Sequence, residues 1–246
     1  MTDRFATDPG PGDSTCRVAV DLVRVGDVER SIFRFGDRYL RRVYTDHELW
    51  TCSSVPGAAT PDAGTGAGLA TRFAAKAATL DVLEASGVRG DLRSIEVLHH
   101  PEGACGISLN GDVAAEAADA GIRRIGVSVS HGGGTASAVV TAICSQATAS
   151  PGGAHPSRPT PGGSARGLDD RIRSLLDDHA RLRDDVVMIG EDDDLYRSGL
   201  TSHASVDVLL ALEEEFGVTF PVPMAERGTF RSIAAIRDAV RAAAYG

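Results

Sequence analysis

Residues 193–221 read DDLYRSGLTSHASVDVLLALEEEFGVTFP, and the organisation of the C-terminal half follows from this stretch. An acidic loop (Glu191, Asp192, Asp193, Asp194) gives way, at Gly199 and Leu200, to a run with Val206, Leu209, Leu210, Leu212 and Phe216 on one helical face. Gly217 is the C-cap candidate. Ser202 stands at the start of this helix with an exposed hydroxyl, where the positive end of the helix favours an attached phosphate. Asp207, Glu213, Glu214 and Glu215 form an acidic rim suited to a partner with a basic patch. Leu168, Ile172, Leu175, Leu176 and Leu182 form an earlier apolar stripe, and Ile233, Ile236 and Val240 a later one. Residues 167–244 are therefore predicted to be an all-α antiparallel bundle.

The segment resembles an acyl carrier protein over nearly all of residues 168–242, including TFRSIAAI at 229–236. The resemblance implies a four-helix carrier domain with 4′-phosphopantetheine on Ser202, and acyl-loading and condensing enzymes as partners in fatty acid or polyketide-type biosynthesis. One departure stands at the attachment site. The usual Asp-Ser-Leu is here Thr201, Ser202 and His203. Thr can still cap the helix, but the Asp charge that would help dock a transferase is gone. Ser205, one turn on, does not align with the attachment position.

Upstream, residues 145–166 (SQATASPGGAHPSRPTPGGSAR) lack an apolar period and cannot bury enough surface to order themselves. This flexible linker would span roughly 25 Å as a coil, enough to bring Ser202 to a neighbouring subunit. It separates residues 167–244 from residues 16–144. The latter open with an apolar strand, CRVAVDLVRV, whose expected core residues are Val18, Val20, Leu22 and Val23. A helical stretch with Phe33, Phe35, Tyr39 and Leu40 follows. Residues 53–68 read as a loop, and residues 69–85 as the strongest helix of this half. The runs SIEVLHH, CGISLNG, IGVSVSH and GTASAVVTAIC are strand-like, with a short helix at AAEAADAG. Strands and helices without a βαβ rhythm predict an α+β fold.

Residue by residue, this half is quiet. Asp21 at a strand end is either a Mg²⁺ ligand or a surface acid. Arg72 and Lys76, one turn apart, reach a phosphate or form a solvated face. His131 precedes Gly132, Gly133 and Gly134, which let backbone amides approach an anion. In order, however, AVDLV, RFGDRYLRRVYTDHEL, RFAAK, SIEV and SVSHGGG resemble holo-acyl-carrier-protein synthase, a 4′-phosphopantetheinyl transferase, over nearly all of residues 16–144.

That resemblance implies transfer of 4′-phosphopantetheine from coenzyme A to a carrier Ser, in cis or in trans, with Mg²⁺. It implies Asp21 as metal ligand, and Arg72, Lys76, His131 and Gly132 around the coenzyme A phosphates, Lys76 and His131 being catalytic. It also implies Arg34 and Arg38 facing the acidic carrier helix, and a homotrimer. Three positions depart from the pattern. The second metal-binding Glu is replaced by Ala77, and two basic positions are occupied by Asp81 and Asp27. Glu84 is a poorly placed substitute for the missing Glu, while Glu48 matches a family acid. Two readings follow: a working transferase fused to its carrier, or a degenerate transferase serving as an oligomeric scaffold.

Composition bounds the alternatives. The 246-residue chain carries 25 Lys and Arg against 34 Asp and Glu, a net charge of −9, which disfavours nucleic acid and anionic membranes as partners. No apolar run approaches the ~20 residues of a membrane span. The polar first residues show no export signal. The four Cys have no CxxC spacing, so the expected setting is a reducing cytoplasm without zinc or disulfides.

Overall fold

The computed structural model describes residues 14–52, 63–99, 104–145, 165–221 and 227–245. Three strands, β1 (Ser14–Arg24), β4 (Ile122–Gly132) and β5 (Thr135–Ser145), form an antiparallel sheet in the order β1-β5-β4. β2 (Ile95–His99) and β3 (Cys105–Leu109) form a separate antiparallel pair. The turn between β4 and β5 requires glycine: Gly133 and Gly134 take φ of +58° and +76°, the left-handed pair that tight hairpins favour. The His-Gly-Gly-Gly motif thus closes a hairpin.

The α4 helix (Ala63–Glu84) lies across β1 and β5. It begins within the stretch that reads as loop, six residues before the periodic segment. Every residue from 69 to 79 is buried, as expected of a helix enclosed on all sides. Its run of Ala (Ala70, Ala74, Ala75, Ala77, Ala78) lets backbone and sheet approach closely over Ala136, Ala138, Val140 and Ala142. On its other side lie α1 (Val25–Phe35), α2 (Asp37–Val43) and α3 (Asp46–Cys52). Gly36, at φ +56°, breaks the first helical stretch in two. α5 (Asp112–Asp119) covers the end of β4.

The expected core of β1 divides by parity. Val23 is buried, but Val18, Val20 and Leu22 are 62%, 53% and 65% exposed. Successive strand side chains point to opposite faces, and Asp21 and Val23 take the face toward α4. Val18, Val20 and Leu22 join Val139 and Ile143 of β5 on an uncovered apolar face.

The C-terminal domain packs α6 (Ala165–Ala180), α7 (Ser202–Phe216) and α8 (Ile233–Tyr245) around Ile172, Leu176, Val208, Leu212, Phe220, Phe230 and Ile236. The fourth, short element is a 3-10 turn, Arg227–Phe230. The expected linker lies outside the described residues, except that Ser145 closes β5 and Ala165 and Arg166 open α6.

The two domains are packed together. Val206, Leu210 and Ala211 of α7 enter the apolar cluster of the N-terminal domain, beside Phe35, Tyr39 and Phe73.

Candidate active site between the two domains

Thr201 caps α7: its hydroxyl accepts the Ala204 N–H at 3.1 Å. Ser202, the first helical residue, is therefore not needed as the cap. Its neighbour Ser205 is occupied, donating to the Ser202 carbonyl at 2.8 Å. The Ser202 hydroxyl instead lies beside the Asp21 carboxylate on β1 of the other domain, close enough to pull its pKa down. Burial and the nearby charge of Asp81 raise Asp21 to about 7, against the pull of Ser202 and Arg227. Asp81, on α4, pairs with Arg227, whose guanidinium also lies 4.3 Å over the Tyr196 ring. Ser202 lines a cleft together with Ala77, Asp81 and Glu84, three positions on one face of α4.

His203 is buried at the seam, with Nε2 3.0 Å from the Tyr39 hydroxyl and 3.5 Å from Ser31 Oγ. Its ring meets Phe73 edge-on at 5.0 Å. Desolvation, with Arg30 and Arg181 nearby, lowers His203 to about 4, so it is neutral at pH 7. Around this apolar centre run charged pairs. Arg38 meets Glu213 at 3.3 Å and Glu214 at 3.8 Å, and donates to the Leu210 carbonyl at 3.4 Å. Arg42 donates to the Phe220 carbonyl at 2.9 Å and lies 3.9 Å from Glu213. Arg181 meets Asp27 at 3.0 Å.

Other residues singled out in the sequence lie elsewhere. Arg34 stacks on Phe35 at 5.5 Å and borders the cavity that Asp207, His179 and Arg181 also line. Lys76 is fully buried, 2.5 Å from Glu48, and donates to the Val43 carbonyl at 2.8 Å. From there it does not reach the surface. Arg72, also buried, donates to Gly68 O at 3.3 Å and Thr51 Oγ1 at 3.1 Å, leaving its Nε without a partner. His131 and Gly132 are exposed at the β4–β5 turn. In register, His131 faces Ala136 and Val23, one inward row beyond Asp21.

A holo-[acyl-carrier-protein] synthase of Koribacter versatilis is 37% identical over 114 residues, spanning 46% of this chain and 85% of that protein. The chain belongs to the holo-[acyl-carrier-protein] synthase family. Its synthase domain is fused to a carrier domain: residues 170–236 match the phosphopantetheine attachment site model. An aminoacyl carrier protein of Agrobacterium fabrum is 41% identical over 74 residues, 30% of this chain and 89% of that protein. A crystal structure of the holo-[acyl-carrier-protein] synthase from Neisseria meningitidis is similar at 28% identity, covering 51% of this chain and 95% of that one, with a TM-score of 0.44.

Sequence reasoning missed the roles of Arg42, Arg181, Arg227 and Tyr39. One signal was present: on the synthase resemblance Asp27 and Asp81 stand where a basic residue is expected, and the carrier domain supplies an Arg opposite each.

Proposed function

We propose that the synthase domain transfers 4′-phosphopantetheine from coenzyme A to Ser202 of its own carrier domain, which then bears acyl groups as thioesters. The observation that carries this reading is Ser202 seated in the cleft against α4, beside the Asp21 carboxylate across the domain boundary. In the step, Ser202 Oγ bonds to the β-phosphorus of coenzyme A, the bond to the bridging diphosphate oxygen breaks, and adenosine 3′,5′-bisphosphate leaves. The proton on Oγ passes to water in the cleft, with the Asp21 carboxylate beside the hydroxyl polarising it. Packing of α7 on α1, α2 and α4 fixes the hydroxyl, so positioning supplies much of the rate.

The residues beside Ser202 fit Mg²⁺. The donors are all oxygen, and Asp21 and Asp81 repel each other, a repulsion a hard cation relieves. Asp21 would hold it, with Ala77 contributing nothing and Asp81 engaged by Arg227. No group of three or more metal-ligating side chains exists among the described residues, so substrate oxygens and water complete the shell, as is usual for Mg²⁺. When bound, the ion neutralises charge on the diphosphate. His131, Gly132 and Arg72 remain the candidates for the coenzyme A phosphates, and residues 145–166 for the linker. Lys76 acts through the fold.

The uncovered face of Val18, Val20, Leu22, Val139 and Ile143 supports self-association, and the synthase resemblance makes a trimer the natural assembly. The cargo is an acyl or, given the Agrobacterium relative, an aminoacyl group, supplied by loading enzymes and consumed by condensing enzymes. No helix among the described residues is long and apolar enough to cross a membrane, and we place the activity in the cytoplasm. A scaffold role alone gives no reason for Asp21 to engage the attachment Ser. The test is Asp21→Asn, nearly isosteric, followed by intact mass in coenzyme A and Mg²⁺. Loading falls by roughly 10²–10⁴-fold; an unchanged rate contradicts the assignment.

A further inference from the structure

We infer that Asp27 and Asp81, with Arg181 and Arg227, form a charge-reversed recognition code that makes this synthase domain select its own carrier domain over conventional carriers. The inference rests on the transferase reading above and adds partner selection to it. On the synthase resemblance, both acids stand where a basic residue is expected. Each finds a carrier guanidinium: Arg181 on Asp27 at 3.0 Å, and Arg227 on Asp81. The reversal is therefore matched on both sides of one interface, as expected of a paired specificity switch and not of decay.

Two further features show that the arginines are held for this contact. Arg181 follows the last residue of α6 at φ +49°, the sole non-Gly residue with positive φ among those described. Glycine is the usual occupant of such a position, yet here a long side chain is kept and reaches Asp27. Arg227 is steadied over the Tyr196 ring. Arg30, on the same helix as Asp27, also pairs with it, so Asp27 faces a cation from each domain. By contrast, Arg38 with Glu213 and Glu214 keeps the ordinary polarity of basic synthase against acidic carrier helix. A conventional carrier satisfies that pair but leaves Asp27 with Arg30 alone and Asp81 without Arg227. The seam also accepts His203 through Tyr39 and Ser31, which Leu cannot satisfy.

The test is a charge-swap cycle in the full-length chain. Ala211 is 4% exposed at the interface, so a Cys there is alkylated only when the domains part. The alkylation rate of Ala211→Cys, located by peptide mass, reads the docked-to-open ratio without any catalysis. Asp27→Arg and Arg181→Asp each speed alkylation roughly twofold to fivefold, the upper part of the range for partly exposed pairs, and the double swap returns it to about the parent rate. Equal rates in all four proteins, or singles that simply add in the double, overturn the code. In a second arm, coenzyme A, Mg²⁺ and one equivalent of an Asp-Ser-Leu carrier protein are added. Asp27→Arg then raises the share of the added carrier that is loaded at least about threefold; an unchanged share overturns the selectivity. If the parent loads neither carrier, the transferase reading fails, and the alkylation cycle still decides the pairing.

Discussion

Glu48→Gln isolates the buried ion pair at the centre of the synthase domain. Glu48 and Lys76 are both fully buried. One Glu48 oxygen accepts the Val97 N–H at 2.9 Å, and the other accepts the Thr45 N–H at 2.8 Å and contacts Lys76 Nζ at 2.5 Å. A glutamine has one carbonyl oxygen. Whichever way its amide turns, a backbone N–H or the ammonium faces an NH₂ group. An uncompensated buried charge costs about 3–5 kcal/mol, and an orphaned backbone N–H about 1–3 kcal/mol more. Burial already lowers the Lys76 pKa, so the amine can neutralise, which caps the loss near the lower figures. We expect a fall of about 4 kcal/mol in unfolding free energy by urea denaturation, a large part of the ~5–15 kcal/mol of an ordinary domain. Lys76→Met costs a similar amount, because it strands the carboxylate and the Val43 carbonyl. The double variant, Glu48→Gln with Lys76→Met, costs less than the sum, leaving only unpaired backbone groups. A loss below about 1 kcal/mol would refute the reasoning. So would a Lys76→Met protein of full stability that no longer loads, since Lys76 would then be reaching substrate.

Three further outcomes follow from the same geometry. His203→Ala leaves the buried Tyr39 hydroxyl without its partner across the seam, so the full chain loses roughly 1–3 kcal/mol of stability by denaturant titration; no change would mean the seam does not persist in solution. In metal-free protein the folded pKa of Asp21 lies above its ordinary value, so its contribution is full below about pH 4 and is lost as pH rises to about 7. Asp21→Asn removes that loss, stabilising the protein at pH 8 and leaving it unchanged near pH 4 in thermal melts; Mg²⁺ raises the melting temperature of the parent more than that of the variant. Val20→Lys on the uncovered face, at a position 53% exposed in the single chain, converts the assembly to monomers by sedimentation; a parent that is already monomeric contradicts the proposed trimer.

The didomain plan was legible because both halves carry long signals: helical stripes around Ser202, and an ordered series of strand and helix motifs from AVDLV to SVSHGGG. Less legible was which face of an element meets what. Val18, Val20 and Leu22 read as core because they are apolar, yet alternation along β1 turns them outward and leaves Asp21 on the face toward Ser202. Lys76 read as a phosphate ligand because the synthase resemblance places it beside the coenzyme A phosphates. Only the enclosure of α4 on all sides, with Glu48 arriving from α3, makes it a buried cation. Ala77 and the two aspartates read as losses from a metal and anion site. Their context comes from the other domain, over 100 residues away in sequence: Arg227 opposite Asp81, Arg181 opposite Asp27. Pairing across a linker is a tertiary fact that no local pattern encodes.

The central claim is tested most directly by the intact mass of the purified apo chain after incubation with coenzyme A and Mg²⁺ alone, over a range of protein concentrations. The account predicts one added phosphopantetheine, located on Ser202, at a first-order rate that dilution leaves unchanged. No mass gain without an added transferase, or the same gain in Ser202→Ala, would contradict it.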